Sequence, residues 1–242
     1  MSGTERRSSA LAADTASKPA FLTCDAYLFD IDGTLLNTHD GVHYHAFQNA
    51  VRDVFGIELR IDGVPVHGNT DIGILRAALR RAGLADERFE AEIPAVLQHM
   101  CAEVSQNADA IRLELCPSAL NLLEALRRAG KLLGVVSGNL ETIGWLKLKA
   151  AGLSDFFAFG CFSDITEHRV DIFRNGVAQA RRMLGSEAPV CVVGDTPSDV
   201  SAAREAGIPV IAVATGIFSL EHLKQCQPDL CIACCTELLD QF

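Results

Sequence analysis

The 242-residue sequence has no apolar run approaching the roughly 20 residues that a membrane-spanning helix requires, so we expect no membrane association. Its start also lacks the apolar core of a secretory signal. Residues 1–20, MSGTERRSSALAADTASKPA, are small and polar, and Glu5 and Asp14 count against a transit peptide. We expect a disordered tail over 1–20 and a cytoplasmic protein. Positive charge is short as well: 21 Lys and Arg against 31 Asp and Glu leave a net charge of −10. That excludes non-specific nucleic-acid binding as an expectation, and it means an anionic substrate needs a local source of positive charge. A zinc-type cysteine arrangement is missing too. Of nine cysteines, the group Cys231, Cys234 and Cys235 holds one CxxC spacing, with no second CxxC and no following histidine pair. Cys24, Cys161 and Cys191 sit inside apolar runs, where a free thiol packs as a small hydrophobe, so reduced cysteines are expected. Nothing in the sequence addresses oligomeric state.

What is present is a rhythm of short apolar runs and helix-like segments. CDAYLF, KLLGVVS (131–137), FFAFGCF (156–162), PVCVVGD (189–195) and IPVIAVATG (208–216) are the strand candidates. SALNLLEALRRAG, DIFRNGVAQARRML and DVSAAREAG separate them with helical spacing. Helices ending in Gly before apolar runs mark βα units and a parallel sheet, and runs apolar at both alternations fit a sheet covered on both faces. Residues 38–115 break this rhythm. VHYHAFQNAVRDVFG, DIGILRAALRRAGL and FEAEIPAVLQHMCAEV each repeat apolar residues at helical spacing, with no convincing strand among them. The division expected is therefore a core of residues 21–37 and 116–242 interrupted by a helical insertion over 38–115.

The chemistry-bearing residues fall at strand ends, where parallel α/β sheets bind ligands. Asp30 and Asp32 close the first strand, Ser137, Gly138 and Asn139 follow the second, and GDTPSD brings Asp195 and Asp199. Two unit charges about 4 Å apart repel by about 4 kcal/mol at an effective dielectric near 20, so converging acids call for a cation. A hard, oxygen-rich site favours Mg²⁺, which also bridges carboxylates to a phosphate. One carboxylate can then attack phosphorus, and a second acid can protonate the leaving alcohol and activate water. Thr34, Ser137 and the amides of Gly138 and Asn139 are candidate donors to phosphate oxygens.

DIDGTLL, GVVSGN, an isolated basic residue and VVGDTPSDVSAAREAG resemble, in order, the four motifs of the haloacid dehalogenase-like hydrolase superfamily. The resemblance spans most of residues 24–216 and is strongest to phosphoglycolate-phosphatase-like members, whose counterparts of SGNLETIGWLKLKAAGL and HGNTDIGIL are familiar. It implies a Rossmann-like α/β core with an inserted helical cap that closes over the site. It implies Asp30 as nucleophile and metal ligand, and Asp32 as general acid/base that also binds metal through its backbone carbonyl. Asp195 would be the other carboxylate ligand, Asp199 would orient a metal-bound water or the basic residue, and Ser137 would bind the phosphoryl group. The third motif commonly uses Lys near a Pro, yet DITEHRVDIF holds no lysine. Arg169, just before a helix starting near Asp171, is the choice, with Lys147 and Lys149 as alternatives. Arg binds phosphate bidentately and stays charged, so the exchange is chemically sensible. The activity implied is Mg²⁺-dependent hydrolysis of a small phosphorylated metabolite through an aspartyl-phosphate, phosphoglycolate being one candidate. A phosphosugar mutase is the nearest rival. A dehalogenase needs no acid at position 32, and an idle phosphate-binding module would not keep Asp30, Asp32, Ser137 and Asp195 together.

Overall fold

The computed structural model describes residues 19–239 and 241. The tail expected over 1–20 lies almost wholly outside the described residues. Strand β1 (Ala26–Phe29) is buried at every position. It is followed by β2 (Leu36–Thr38) and by three helices, α1 (Val42–Phe55), α2 (Asp71–Arg81) and α3 (Asp86–Gln106). The chain then alternates: β3 (Leu113–Leu115), α4 (Ala119–Arg128), β4 (Leu132–Val136), α5 (Glu141–Ala150), β5 (Phe159–Cys161), α6 (Arg169–Leu184) and β6 (Val190–Gly194). It closes with α7 (Pro197–Ala206), β7 (Val210–Val213), α8 (Leu220–Gln225), β8 (Leu230–Ile232) and α9 (Thr236–Leu239).

Six strands form one sheet in the order β5-β4-β1-β6-β7-β8, and every pairing is parallel. Along β1 the side chains alternate between two apolar layers. Tyr27 and Phe29 join Leu133, Val135, Cys191 and Val193 on one face. Ala26 and Leu28 join Val136, Val190 and Val192 on the other. Helices cover both faces, which is why the strand segments lack a polar alternation. Because β1 lies between β4 and β6, the ends carrying Asp30, Ser137 and Asp195 are neighbours.

The three helical segments read from spacing become α1, α2 and α3, with an apolar cluster of their own built from Phe47, Val51, Leu75, Leu79, Phe89 and Met100. That cluster extends to Leu140 and Ile143 at the start of α5, so the insertion packs against the sheet-covering layer. The sequence reading missed one feature here. Thr38 and Leu113–Leu115 belong to a two-stranded antiparallel pair, with Leu36 opposite Leu115 and Thr38 opposite Leu113. Three-residue strands are too short to show a period of two. β8 was missed for the same reason; within the cysteine group, Cys231 lies on that strand, and Cys235 is fully buried in the core. None of the nine cysteines is in a disulfide. No helix among the described residues is long and apolar enough to cross a membrane.

Candidate active site

The β1 strand ends by delivering Asp30 into the crevice, its amide held by the Val193 carbonyl of β6 at 3.0 Å. The chain then turns at Gly33, whose φ of +83° disfavours any side chain. A Cβ there would lie 2.2 Å from Asp195 Oδ2, and one on Gly216 would lie 1.8 Å from the same atom. Both glycines therefore make room for the Asp195 carboxylate, which follows β6. Thr34 Oγ1 donates to Asp195 Oδ1 at 3.2 Å. Thr34 is fully buried and absent from the cavity wall. That corrects the expectation of a phosphate contact: its hydroxyl is spent on fixing Asp195.

Asp199 sits in the first turn of α7 in a capping box with Thr196. Its Oδ2 accepts from Thr196 N at 2.9 Å and Thr196 Oγ1 at 2.6 Å. Its Oδ1 accepts from Arg169 Nε at 2.8 Å. Arg169 opens α6, two residues earlier than the spacing suggested, and reaches back into the site. Its Nη2 lies 2.8 Å from Asp30 Oδ2 and 2.6 Å from Asp199 Oδ1. So Asp199 serves as a helix cap and as the anchor of Arg169 at once.

Asp30, Asp195 and Asp199 place ligand oxygens within 4.8 Å of one another, and all three are buried. Burial pushes Asp30 up to about 6, helped by the negative charges of Asp199 and Asp32 and opposed by Arg169. Burial pushes Asp195 up to about 8, with Asp199 and Asp30 adding to it and Arg169 opposing. Three carboxylates lie beside one guanidinium, which contacts only Asp30 and Asp199, and the strain of that surplus is what a divalent cation relieves. The donors are hard oxygens only, which suits Mg²⁺.

Asp32 occupies a different environment. Its side chain is 42% exposed and faces the cavity. Lys147, buried on α5, donates to both oxygens at 2.9 and 2.8 Å. Asn139 Nδ2 adds a bond to Oδ2 at 2.8 Å and Thr38 Oγ1 one to Oδ1 at 3.2 Å. Burial works to raise Asp32, but the Lys147 charge and the bonds from Lys147 and Asn139 outweigh it, leaving the group below the ordinary carboxylate range. Asn139 also bonds Lys147 through Oδ1 and Ser137 Oγ through Nδ2, each at 2.8 Å, so the loop after β4 is one network. The structure thus separates the two lysine alternatives. Lys147 pairs with Asp32, whereas Lys149 is exposed. The signal for Lys147 was in the sequence: it falls on the buried stripe of Ile143, Gly144, Lys147 and Leu148, where an unpaired lysine would be costly.

A cavity of about 430 Å³ is lined by Asp30, Asp32 and Asp195 and by residues of the insertion. Gly138 forms part of its floor, and a Cβ there would meet the Asn69 carbonyl oxygen at 2.3 Å. The GNTD stretch is therefore docked onto the Ser137–Asn139 loop. Asp71 N bonds the Gly138 carbonyl, and Asp71 Oδ2 accepts from Leu140 N, each at 2.8 Å. His43 Nε2 lies 3.2 Å from Asp71 Oδ2. Thr70 caps α2. His43 and His67, given no role from sequence, both line the cavity; His45 is exposed.

A family model described as hydrolase, haloacid dehalogenase-like hydrolase, matches residues 24–207. A protein of Dickeya dadantii named "Probable phosphatase IndB" is 27% identical over 223 residues, covering 88% of this chain and 90% of that one. A "Phosphoglycolate phosphatase" of Synechococcus elongatus is 29% identical over 222 residues, covering 88% and 95%. The crystal structure of a hydrolase from Pseudomonas syringae superposes with a TM-score of 0.61 at 20% identity, over 90% of this chain and 98% of that one.

Proposed function

Because the chain belongs to the haloacid dehalogenase-like hydrolases, we propose that it is a Mg²⁺-dependent phosphatase of small phosphomonoesters working through an aspartyl-phosphate on Asp30. The observation that carries this reading is the contrast between two acids two residues apart. Asp30 is buried against Arg169 beside two further carboxylates, whereas Asp32 faces the cavity. One is placed to be a nucleophile kept from water and the other to move protons to and from a leaving group.

In this reading Asp30, Asp195 and Asp199, with the Asp32 backbone carbonyl, would hold the metal ion. When bound, the ion supplies charge neutralisation that lets an anionic phosphoryl group approach Asp30. Ser137 Oγ and the amides of Gly138 and Asn139 hold the phosphoryl oxygens. Arg169, fixed by Asp199, balances charge on the nucleophile. Lys147, Asn139 and Thr38 aim Asp32 at the leaving oxygen. Asp32, ionised beside Lys147 in the free site, takes up a proton as the substrate's negative charge arrives, gives it to the departing alcohol, and then takes one from the water that hydrolyses the phosphoenzyme. The helices α1–α3 act as a cap over this centre, and the chain works in the cytoplasm.

Phosphate release from p-nitrophenyl phosphate in Mg²⁺, lost on chelation, tests the reading; isomerised phosphosugar without released phosphate would instead make the protein a mutase. Metal also has a stability signature. Asp30 and Asp195 are raised in the folded, metal-free protein, so the folded state holds more protons than the unfolded one between the ordinary carboxylate range and about pH 8. Metal-free stability is therefore greatest at low pH within this window and falls as pH rises through it. The melting temperature in chelator should drop between pH 5 and pH 8, and Mg²⁺ should offset most of that drop. Equal melting curves with and without Mg²⁺ at pH 8 would contradict the metal site.

Asp32→Asn separates the two half-reactions. An alkyl phosphate needs its leaving oxygen protonated, and loss of such a group costs about 10²- to 10⁴-fold. Nitrophenolate leaves without a proton, so Asp30 is still phosphorylated but no base then activates water. The expected result is one equivalent of nitrophenolate released in a burst, followed by slow turnover. Unchanged steady-state turnover without a burst would remove Asp32 from its role.

A further inference from the structure

Resting on the phosphatase reading above, we infer that the preferred substrate is a phosphomonoester whose leaving alcohol carries no second negative charge and presents an apolar surface. Five carboxylates line the cavity, Asp30, Asp32, Asp40, Asp71 and Asp195, against two permanent cations, Lys147 and Arg169. With all five ionised, as metal binding requires, that is an excess of three negative charges, which a divalent ion would reduce to one. Neither cation is available to a second anion. Arg169 is 8% exposed and shared by Asp30 and Asp199, and Lys147 is held by both oxygens of Asp32. A carboxylate or second phosphate could reach Lys147 only by displacing Asp32. His43 is committed to Asp71, leaving His67 as the one basic ring on the wall, among the described residues, with no acidic partner.

The rest of the wall is uncharged, with Asn37, Asn69 and Thr196 as polar groups beside an apolar side, and it matches an uncharged alcohol. Tyr44, Phe47, Ile61, Val66 and Ile74 from the insertion, with Ile217 after β7, form its apolar side. The acids facing that side are already satisfied. Asp40 accepts from the amides of Val42 and Arg112, and Asp71 from Leu140 N. A second anion would therefore lose its hydration to apolar side chains and fixed negative charge together. Some relatives are named phosphoglycolate phosphatases; phosphoglycolate carries the carboxylate this cavity disfavours.

The test compares 2-phosphoglycolate with its isosteric amide, 2-phosphoglycolamide, on the full chain in saturating Mg²⁺. Each is assayed as substrate and as competitor of p-nitrophenyl phosphate hydrolysis. The amide should exceed the acid by at least about tenfold in kcat/KM or in competitive strength, as one repelled charge at close range implies. Equal use of the two, or preference for the acid, overturns the inference while leaving the phosphatase reading intact. Absence of phosphate release from all three compounds overturns both. His67→Asn should leave the amide-to-acid ratio unchanged; a selective loss of the acid would place a second anion at His67 and overturn the inference.

Discussion

Asp30→Asn should release no phosphate from any ester, with turnover down at least about 10⁴-fold, beyond what losing a helper group costs. The amide keeps the shape of the side chain but has no charge with which to attack phosphorus. No phosphoryl group should then appear on the intact protein by mass spectrometry, even under conditions where Asp32→Asn accumulates one. The fold should survive. Asp30 is a carboxylate that burial and its acidic neighbours already push up to about 6, and Arg169 keeps Asp199 as partner when it is gone. In chelator the variant should melt at or above the wild-type temperature, because one of three crowded acids has been removed. In Mg²⁺ it should gain less than wild type, because a ligand has been lost. Turnover at the wild-type rate would end the nucleophile assignment.

Much of this centre was legible because its chemistry sits at strand ends, and strand ends carry strong local signals. DIDG and GDTPSD each follow an uninterrupted apolar run, and a parallel sheet places such ends side by side. The three inserted helices were legible for a related reason, since each is long enough for its apolar period to repeat. What was hidden depends on long-range geometry or on very short segments. Nothing local marks Leu36–Thr38 and Leu113–Leu115 as partners 79 positions apart at their outer pair, Leu36 and Leu115. Thr34 looks like a phosphate donor beside Gly33, but its hydroxyl faces Asp195 across a sequence distance of 161 residues. The third motif was the hardest because two basic residues reach the site from different helices. Only their partners separate them: Arg169 meets the buried acids and Lys147 meets Asp32. The wall of the cavity was beyond pattern reading altogether, because Phe47, Ile74 and Ile217 face one space only once the insertion docks through Asp71.

Replacing Arg169 by Ala should destabilise the protein and stop catalysis, whereas Lys147→Ala should chiefly impair proton transfer. Arg169 is almost completely enclosed and is shared by Asp30 and Asp199. Removing one partner of a buried ion pair leaves uncompensated charge and costs about 3–5 kcal/mol. At about 2–4 °C per kcal/mol for a chain of this size, the melting temperature in chelator should fall by about 6–20 °C. Mg²⁺ should restore part of that stability, since it would supply charge to the same acids, but not turnover, since Asp199 no longer holds a guanidinium against Asp30. Asp32 is in a different position when Lys147 is truncated. It keeps bonds from Asn139 and Thr38 and has water on its open side, so the stability loss should be smaller. The activity loss should then depend on the leaving group, large for alkyl phosphates and small for phosphorylation of Asp30 by p-nitrophenyl phosphate, which needs no proton. Arg169→Ala should penalise both substrates alike, because charge balance at Asp30 serves either leaving group. If Lys147→Ala shows the uniform loss and Arg169→Ala the selective one, the two basic residues exchange roles, and Lys147 becomes the partner of the phosphoryl transfer itself.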